Sequence, residues 1–355
     1  MKSPVHIVIE KKDVYRIIFN DPFMEPVTVE DEDEFKKLVS RLKTAGKTQV
    51  ARELTEKWVN IHKNMFKINF KGKFLNLGHK TAVMGILNLT PDSFSDGGLY
   101  YKNISKAVER AQQMLEEGAE IIDVGGESTR PGAKPVPTEE EKERVLPVIR
   151  ALRKELGDNF FISIDTYKAE VAEAAVEEGA DIVNDISGMS FDKNMAKTVA
   201  SLDCPVIVGH TRGKPENMQK NVYYDDVIIE IIDFLDNQIK KGILEGIRKD
   251  RFIVDPGIGF GKYVEHNIEI IKRLSEFKAL GFPILIGISR KSFIETVIKN
   301  LTKRENLPPK ERVSGSLGAT AFAVINGAHI VRTHDVKETV EFLTILDTIR
   351  GYRIV

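Results

Sequence analysis

The pattern of apolar and polar positions changes character near residue 75. Before that point, HIVIEKKDVYRIIF and MFKINFKGKFLNLG read as short hairpins, the second turning at Lys71–Gly72. Between them, DEDEFKKLVSRLKTAG followed by VARELTEKWVNIHKNM predicts one helical segment. Phe35, Leu38, Val39 and Leu42 fall at helical spacing there, with charge on the opposite face. From about residue 80 a second rhythm begins, in which short apolar runs alternate with amphipathic helices. Such alternation is the signature of parallel βα units. The runs are Ala82–Leu87, Ile121–Val124, Phe161–Ile164, Ile182–Asn184, Val206–Val208, Phe252–Val254, Ile284–Ile286 and Ile330–Arg332. The phrases EEGAEIIDV, EEGADIVND and INGAHIVRT repeat one design, a helix stopped at glycine and followed directly by a strand.

Eight strands are what a closed (β/α)8 barrel of the TIM type requires, although an open doubly wound sheet would alternate in the same way. The residues at the strand ends and just beyond them favour the barrel. They are Asn88, Asp123, Asp165, Asn184 with Asp185, His210, Asp255, Ser289 with Lys291, and Arg332 with His334. In a barrel all these ends meet at one mouth, where active sites are built. Asp and Asn also serve as ordinary turn formers, but turns do not explain Lys291, Arg332 and His334 together. The fold expected is therefore an α/β barrel over residues 76–355 with a small α+β extension over residues 1–75. The extension carries no chemical motif and is expected to be a structural or assembly element.

Composition narrows the partners. Lys and Arg number 52 against 53 Asp and Glu, so no general basic field exists for nucleic acid or a membrane surface. A single cysteine, Cys204, rules out an internal disulfide and fits a reducing compartment. The opening residues lack a signal-peptide core, and no stretch approaches the roughly 18 apolar residues of a membrane span, so the expected location is cytoplasmic.

Five motifs carry candidate chemistry. In MGILNLTPDSFSDGG, Asn88 offers a hard oxygen suited to magnesium, which commonly shares phosphate oxygens and water. The loop also holds Asp92, Ser93, Ser95, Asp96, Gly97 and Gly98, and an Asp/Ser-rich turn is its plainer reading. In IIDVGGESTRPGA, Thr129 and Arg130 stand on a glycine-rich loop suited to an anion, with Thr138 and Glu141 placed for a capping box beyond it. SIDT, IVNDISG and IVDPGIGFGK set Asp165, Asn184 and Asp255 at strand ends in apolar surroundings. A buried carboxylate needs a partner, and the amidine-like edge of a pterin or guanine supplies parallel N–H donors, while helix N-capping is the alternative role. IGISRKSF gathers Ser289, Arg290 and Lys291 at a helix start, where cations oppose the dipole unless an electron-rich ligand offsets them. GAHIVRTHDV points Arg332 and His334 to one face, suited to a diphosphate, and leaves His329 without a role.

Taken in this order, the motifs resemble the dihydropteroate synthase family from about residue 80 to the end of the chain. NLTPDSFSDGG and STRPGA are its most specific phrases, and SIDT, NDI, DPGIGFGK, SRKSF and the Arg-x-His pair reinforce them. The resemblance implies condensation of 6-hydroxymethyl-7,8-dihydropterin diphosphate with p-aminobenzoate in a TIM-type barrel. It implies that Asp165, Asn184, Asp255 and Lys291 bind the pterin ring, and that Asn88, Arg332 and His334 hold the diphosphate with magnesium. Thr129 and Arg130 would lie on a mobile loop, and Ser289, Arg130 and Phe260 would frame the p-aminobenzoate. Lys291, Arg332, His334 and Asp165 are the expected catalytic set. Two departures stand out: Gly209–His210–Thr211–Arg212 replaces a Met-His-Met phrase, and Ile258 replaces an aromatic residue. The nearest rival is a methyltetrahydrofolate-type methyltransferase, which needs no diphosphate site, and a barrel retired to scaffolding is a second. The apolar TAFAVING stretch, 320–327, suits a homodimer interface.

Overall fold

Alternation and turn chemistry produce an N-terminal unit before the barrel begins. The structure, a computed structural model, describes residues 2–91, 103–220, 222–304 and 306–351. Strand β1 (Val5–Lys11) pairs antiparallel with β2 (Val14–Phe19), turning at Asp13. A third strand, β3 (Val27–Val29), adds to β2 and is too short for its alternation to show in the sequence. The expected helical segment is broken into Glu32–Thr44 and Thr48–His62. Gly46, at φ +75°, provides the left-handed residue that ends the first helix. The Asp31 side chain accepts from the Glu34 amide to start that helix. Phe35, Leu38, Leu42, Ala51, Leu54 and Ile61 then close a core against Val5, Ile7 and Ile17. This unit docks on the barrel's flank, where the Ser3 amide donates to Asp233 at 3.0 Å and Asn60 donates to the Ala279 carbonyl at 3.0 Å.

The second hairpin, β4 (Phe66–Phe70) with β5 (Lys73–Leu77), has a different position. Its Ile68, Leu75 and Leu77 share one buried cluster with inward residues of all eight barrel strands: Ala82 and Met84 of the first, then Ile121, Phe161, Ile182, Ile207, Ile253, Leu285 and Ile330. The hairpin thus closes the barrel floor. A division at residue 75 falls inside β5.

Each expected barrel strand forms. They are β6 (Ala82–Asn88), β7 (Ile121–Gly125), β8 (Phe161–Asp165), β9 (Ile182–Asp185), β10 (Val206–Gly209), β11 (Phe252–Asp255), β12 (Leu285–Ile286) and β13 (Ile330–Thr333). All pair in parallel in the order β11-β10-β9-β8-β7-β6-β13-β12. A parallel bridge from Val254 to Ile284 links β11 to the residue before β12 and completes a TIM-type barrel. Period two then sorts the side chains. Val83, Leu87, Ile122, Val124, Ile162 and Ile164 face the helices in one large core. On the opposite parity, apolar residues fill the floor and polar ones follow above them.

The helix Thr138–Leu156 starts without the capping box expected from Thr138 and Glu141. Glu141 is buried and bonds Lys168 instead, so burial of its carboxylate against an ammonium overrides the local cap.

The last helix, Val336–Ile349, is tied to the start of the first barrel strand. The Thr81 amide donates to Asp347 Oδ2 at 2.7 Å, and its hydroxyl donates to Oδ1 at 3.1 Å, all buried. Asp347→Ala leaves that amide unsatisfied and is expected to cost about 1–3 kcal/mol in urea unfolding, without changing the secondary structure seen by circular dichroism.

Candidate functional site

At the end of the barrel opposite the hairpin lies a cavity of about 410 Å³. Its lining includes Asn88, Thr129, Arg130, Asp165, Asn184, Asp255, Phe260, Ser289, Lys291, Arg332 and His334. Eleven positions drawn from seven strand ends thus share one wall, because each lies on the inward parity of its strand or on the loop beyond it.

The centre of the cavity floor is an ion cluster. Arg332 Nε donates to Asp123 Oδ2 at 2.6 Å, and Nη2 donates to Asp165 Oδ2 at 2.8 Å. Asn184 Nδ2 approaches both oxygens of Asp123, at 3.4 and 3.3 Å. Asp123 is fully buried and sits one inward step below the mouth. Burial raises the Asp165 carboxyl above the usual carboxylate range, and Arg332 only partly offsets this. Its Oδ1 is buried and has no hydrogen-bond partner among the described residues, so an acceptor is left for a ligand N–H.

Lys291 and Asp255 occupy the next sector. Lys291 Nζ lies 4.1 Å from the centre of the Phe260 ring. Burial, then Arg332, lowers its amine to about 8. Asp255 Oδ1 accepts from the Gly257 amide at 2.7 Å, while burial pushes its carboxyl up. Gly257 is held at φ +74°, and a Cβ there would stand 1.9 Å from the His210 carbonyl oxygen. No other residue fits that contact. The left-handed Arg290, at φ +59°, turns the chain just before Lys291. Its amide donates to Ser316 Oγ at 3.0 Å, and its carbonyl accepts from Arg312 Nη1 at 2.9 Å.

On the remaining side, Ser289 Oγ lies 3.0 Å from His334 Nδ1 and accepts the His334 amide at 3.1 Å. Burial, together with Arg290, Arg332 and Arg130, drives the His334 imidazole well below its ordinary range, leaving it neutral at pH 7. A neutral ring bonded at Nδ1 can still offer its other nitrogen to the cavity.

Three strand-end residues behave differently from the rest. Asp185 points out of the barrel and accepts from the Ser187 amide and hydroxyl and the Met189 amide, fixing a loop. His210 is buried behind the site, with Lys262 Nζ 2.9 Å from its Nδ1. Arg290 also lines the cavity, but its guanidinium pairs with Asp335, Nε donating at 3.0 Å. His329 is structural, its Nδ1 accepting the Ile284 amide at 3.1 Å.

Other lining residues were not singled out in the sequence. Ile186 and Met218 supply apolar wall, Ser292 and Arg312 stand beyond Lys291, and Glu127 stands at the foot of the STRPG loop. The partner role of Asp123 was readable, since it shares the inward parity of Ile121 and precedes the two-glycine step. Asp92, Ser93, Ser95, Asp96, Gly97 and Gly98 lie outside the described residues. No group of three or more His, Cys, Asp or Glu among the described residues could hold a metal by itself. An amide oxygen such as that of Asn88 fits a magnesium ion only where substrate phosphates and water complete the shell.

Comparisons with known proteins agree with the barrel fold. The pterin binding enzyme family matches residues 84–334, leaving the N-terminal unit and the floor hairpin outside the match. Dihydropteroate synthase from Synechocystis sp. is 45% identical over 272 residues, covering 77% of this chain and 91% of that protein. A Yersinia pestis dihydropteroate synthase solved with a sulfonamide drug superposes with a TM-score of 0.75 at 40% identity, covering 81% of this chain and all of that one. The Xanthomonas albilineans enzyme in complex with 7,8-dihydropteroate gives 0.68 at 33% identity, covering 80% and 98%.

Proposed function

Since the chain belongs to the pterin binding enzyme family, as one of its dihydropteroate synthases, we propose how its own residues carry the reaction. The enzyme condenses 6-hydroxymethyl-7,8-dihydropterin diphosphate with p-aminobenzoate, releasing 7,8-dihydropteroate and diphosphate. The observation that carries our assignment of roles is the orphan Oδ1 of Asp165, buried on the cavity floor beside Asn184 and Asp255. Asp165 accepts from the amidine-like edge of the pterin, and Asn184, Asp255 and Lys291 bind the rest of the ring. Phe260, Ser289, Thr129 and Arg130 frame the arylamine.

The diphosphate lies toward Arg332 and His334. As the C–O bond to the diphosphate breaks, negative charge grows on the leaving group, and Arg332 and His334 stabilise it. The His334 ring, neutral at pH 7, acts there as a hydrogen-bonding group rather than as a charge. Magnesium bound through Asn88 and the phosphate oxygens would supply further charge neutralisation. The aniline nitrogen is unprotonated at neutral pH and attacks the electron-deficient methylene without a strong base, its surplus N–H proton passing to the departing diphosphate. Arg130 and Thr129 close the loop side and keep water from competing.

We also assign a homodimer and a cytoplasmic setting. Phe322 and Ile325 on the helix Val313–Ile325 are 50% and 59% exposed, beside Ile345 and Ile349 on the final helix at 64% and 77%. A face of that kind suits a second copy. The lone cysteine is buried, its thiol pushed up to about 12, and so is poorly reactive. No helix among the described residues is long and apolar enough to cross a membrane. For the N-terminal unit we propose a structural role, with its separable part ending before the floor hairpin rather than within it.

The assay is direct: purified protein, magnesium, the pterin diphosphate and p-aminobenzoate, following diphosphate and dihydropteroate. Release of diphosphate should depend on p-aminobenzoate, and release without it would refute the coupling of the two substrates. With Lys291 acting as an ammonium, kcat/KM for the pterin should fall as pH rises through about 8, since the amine is charged below that value and neutral above it. Lys291→Arg should move that limb upward, and an unmoved limb removes Lys291 from the profile. Light scattering at micromolar concentration should give twice the chain mass, whereas a monomer would reject the dimer.

A further inference from the structure

The base of the STRPG loop holds charged groups that the condensation does not use. Glu127 ends the two-glycine step after β7, its side chain only 4% exposed. One carboxylate oxygen accepts from the Tyr167 hydroxyl, and the other accepts from Lys168 Nζ at 2.5 Å and from the Val136 amide at 3.1 Å. Lys168 has two further bonds, to Glu141 on the following helix and to the Val136 carbonyl at 2.7 Å. The three protons of the ammonium are therefore all engaged.

The arrangement grips one peptide residue from both sides. Val136 gives its amide to Glu127 and its carbonyl to Lys168, so the two ends of the segment between Glu127 and Val136 are tied together. Thr129 and Arg130 lie within that segment, and nearer its tip the Gly132 amide donates to the Pro215 carbonyl at 2.9 Å. Tyr167 and Lys168 in turn follow Asp165 at the end of β8. One short stretch of chain thus carries both the pterin acceptor and the fastening of the neighbouring loop.

We propose that Lys168 is a positioning residue, a latch that fixes the base of the STRPG loop so that Thr129 and Arg130 meet the p-aminobenzoate. The proposal rests on the reading above that Arg130 frames that substrate. Lys168 touches neither substrate and acts on the second one through the loop, so its loss should separate the two binding steps.

The test compares Lys168→Met, Arg130→Ala and the double variant, measuring KM for p-aminobenzoate and equilibrium binding of 6-hydroxymethylpterin. Lys168→Met should raise KM for p-aminobenzoate roughly ten- to hundredfold, the scale of misplacing a positioning group. Pterin affinity should stay within about twofold, and the loss in the double variant should not exceed that of Arg130→Ala alone. An unchanged KM in Lys168→Met beside a damaged Arg130→Ala would overturn the latch. Equal losses for both substrates would also overturn it, since a general structural fault moves both. A harmless Arg130→Ala would show that the underlying reading of the loop fails, and the latch with it. Removing the ammonium leaves two buried carboxylates uncompensated, and Lys168→Met can fail to fold for that reason. Tyr167→Phe removes only one donor to Glu127 and should show the same split between substrates at smaller size. Absence of any split in Tyr167→Phe, with the hydroxyl bond to Glu127 gone, would count against the latch.

Discussion

The site depends on a guanidinium set among carboxylates inside a β-barrel. Arg332 reaches Asp123 and Asp165 at hydrogen-bond distance, and without it two acids would stand buried with no cation between them. Breaking a buried pair by removing one partner costs about 3–5 kcal/mol, which makes this cluster a condition for the barrel as well as for its chemistry. The same cluster tunes its surroundings. Arg332 contributes to lowering the Lys291 amine and the His334 imidazole, while Asp123 and Asp165 hold the guanidinium charged. An N–H donor meeting Asp165 Oδ1 would complete the hydrogen bonding of this cluster.

Much of the barrel was legible because two periodicities agree there. Period two placed Arg332 and His334 on one face, and glycine-stopped helices marked where strands such as Ile121–Gly125 begin. Candidate site residues were legible for the same reason, since a polar residue at a strand end has few other uses in a closed barrel. The sequence was silent where tertiary pairing decides. Asp185 and Asn184 are adjacent, yet one faces the loop and the other the cavity, and only parity against the partner strands separates them. Arg290 reads like Lys291 until its left-handed backbone and its bond to Asp335 are seen. Glu141 looked like a local helix cap because its true partner, Lys168, comes from another strand end.

The N-terminal region shows a similar limit. Its helices were visible, but their break at Gly46 and the three-residue β3 were not, as one is a single backbone angle and the other is shorter than a full alternation. The hairpin's destination was equally hidden. Phe66–Phe70 and Lys73–Leu77 read only as a short hairpin, whereas Ile68, Leu75 and Leu77 complete a core supplied by eight distant strands.

That plugged floor has a consequence for traffic. With the interior packed by inward side chains and the hairpin beneath them, the mouth is the single doorway, and Asp165, Asn184 and Asp255 line the cavity behind it. Two reactants and two products must therefore share one passage. A molecule bound deep in that cavity is barred from leaving by whatever binds nearer the mouth.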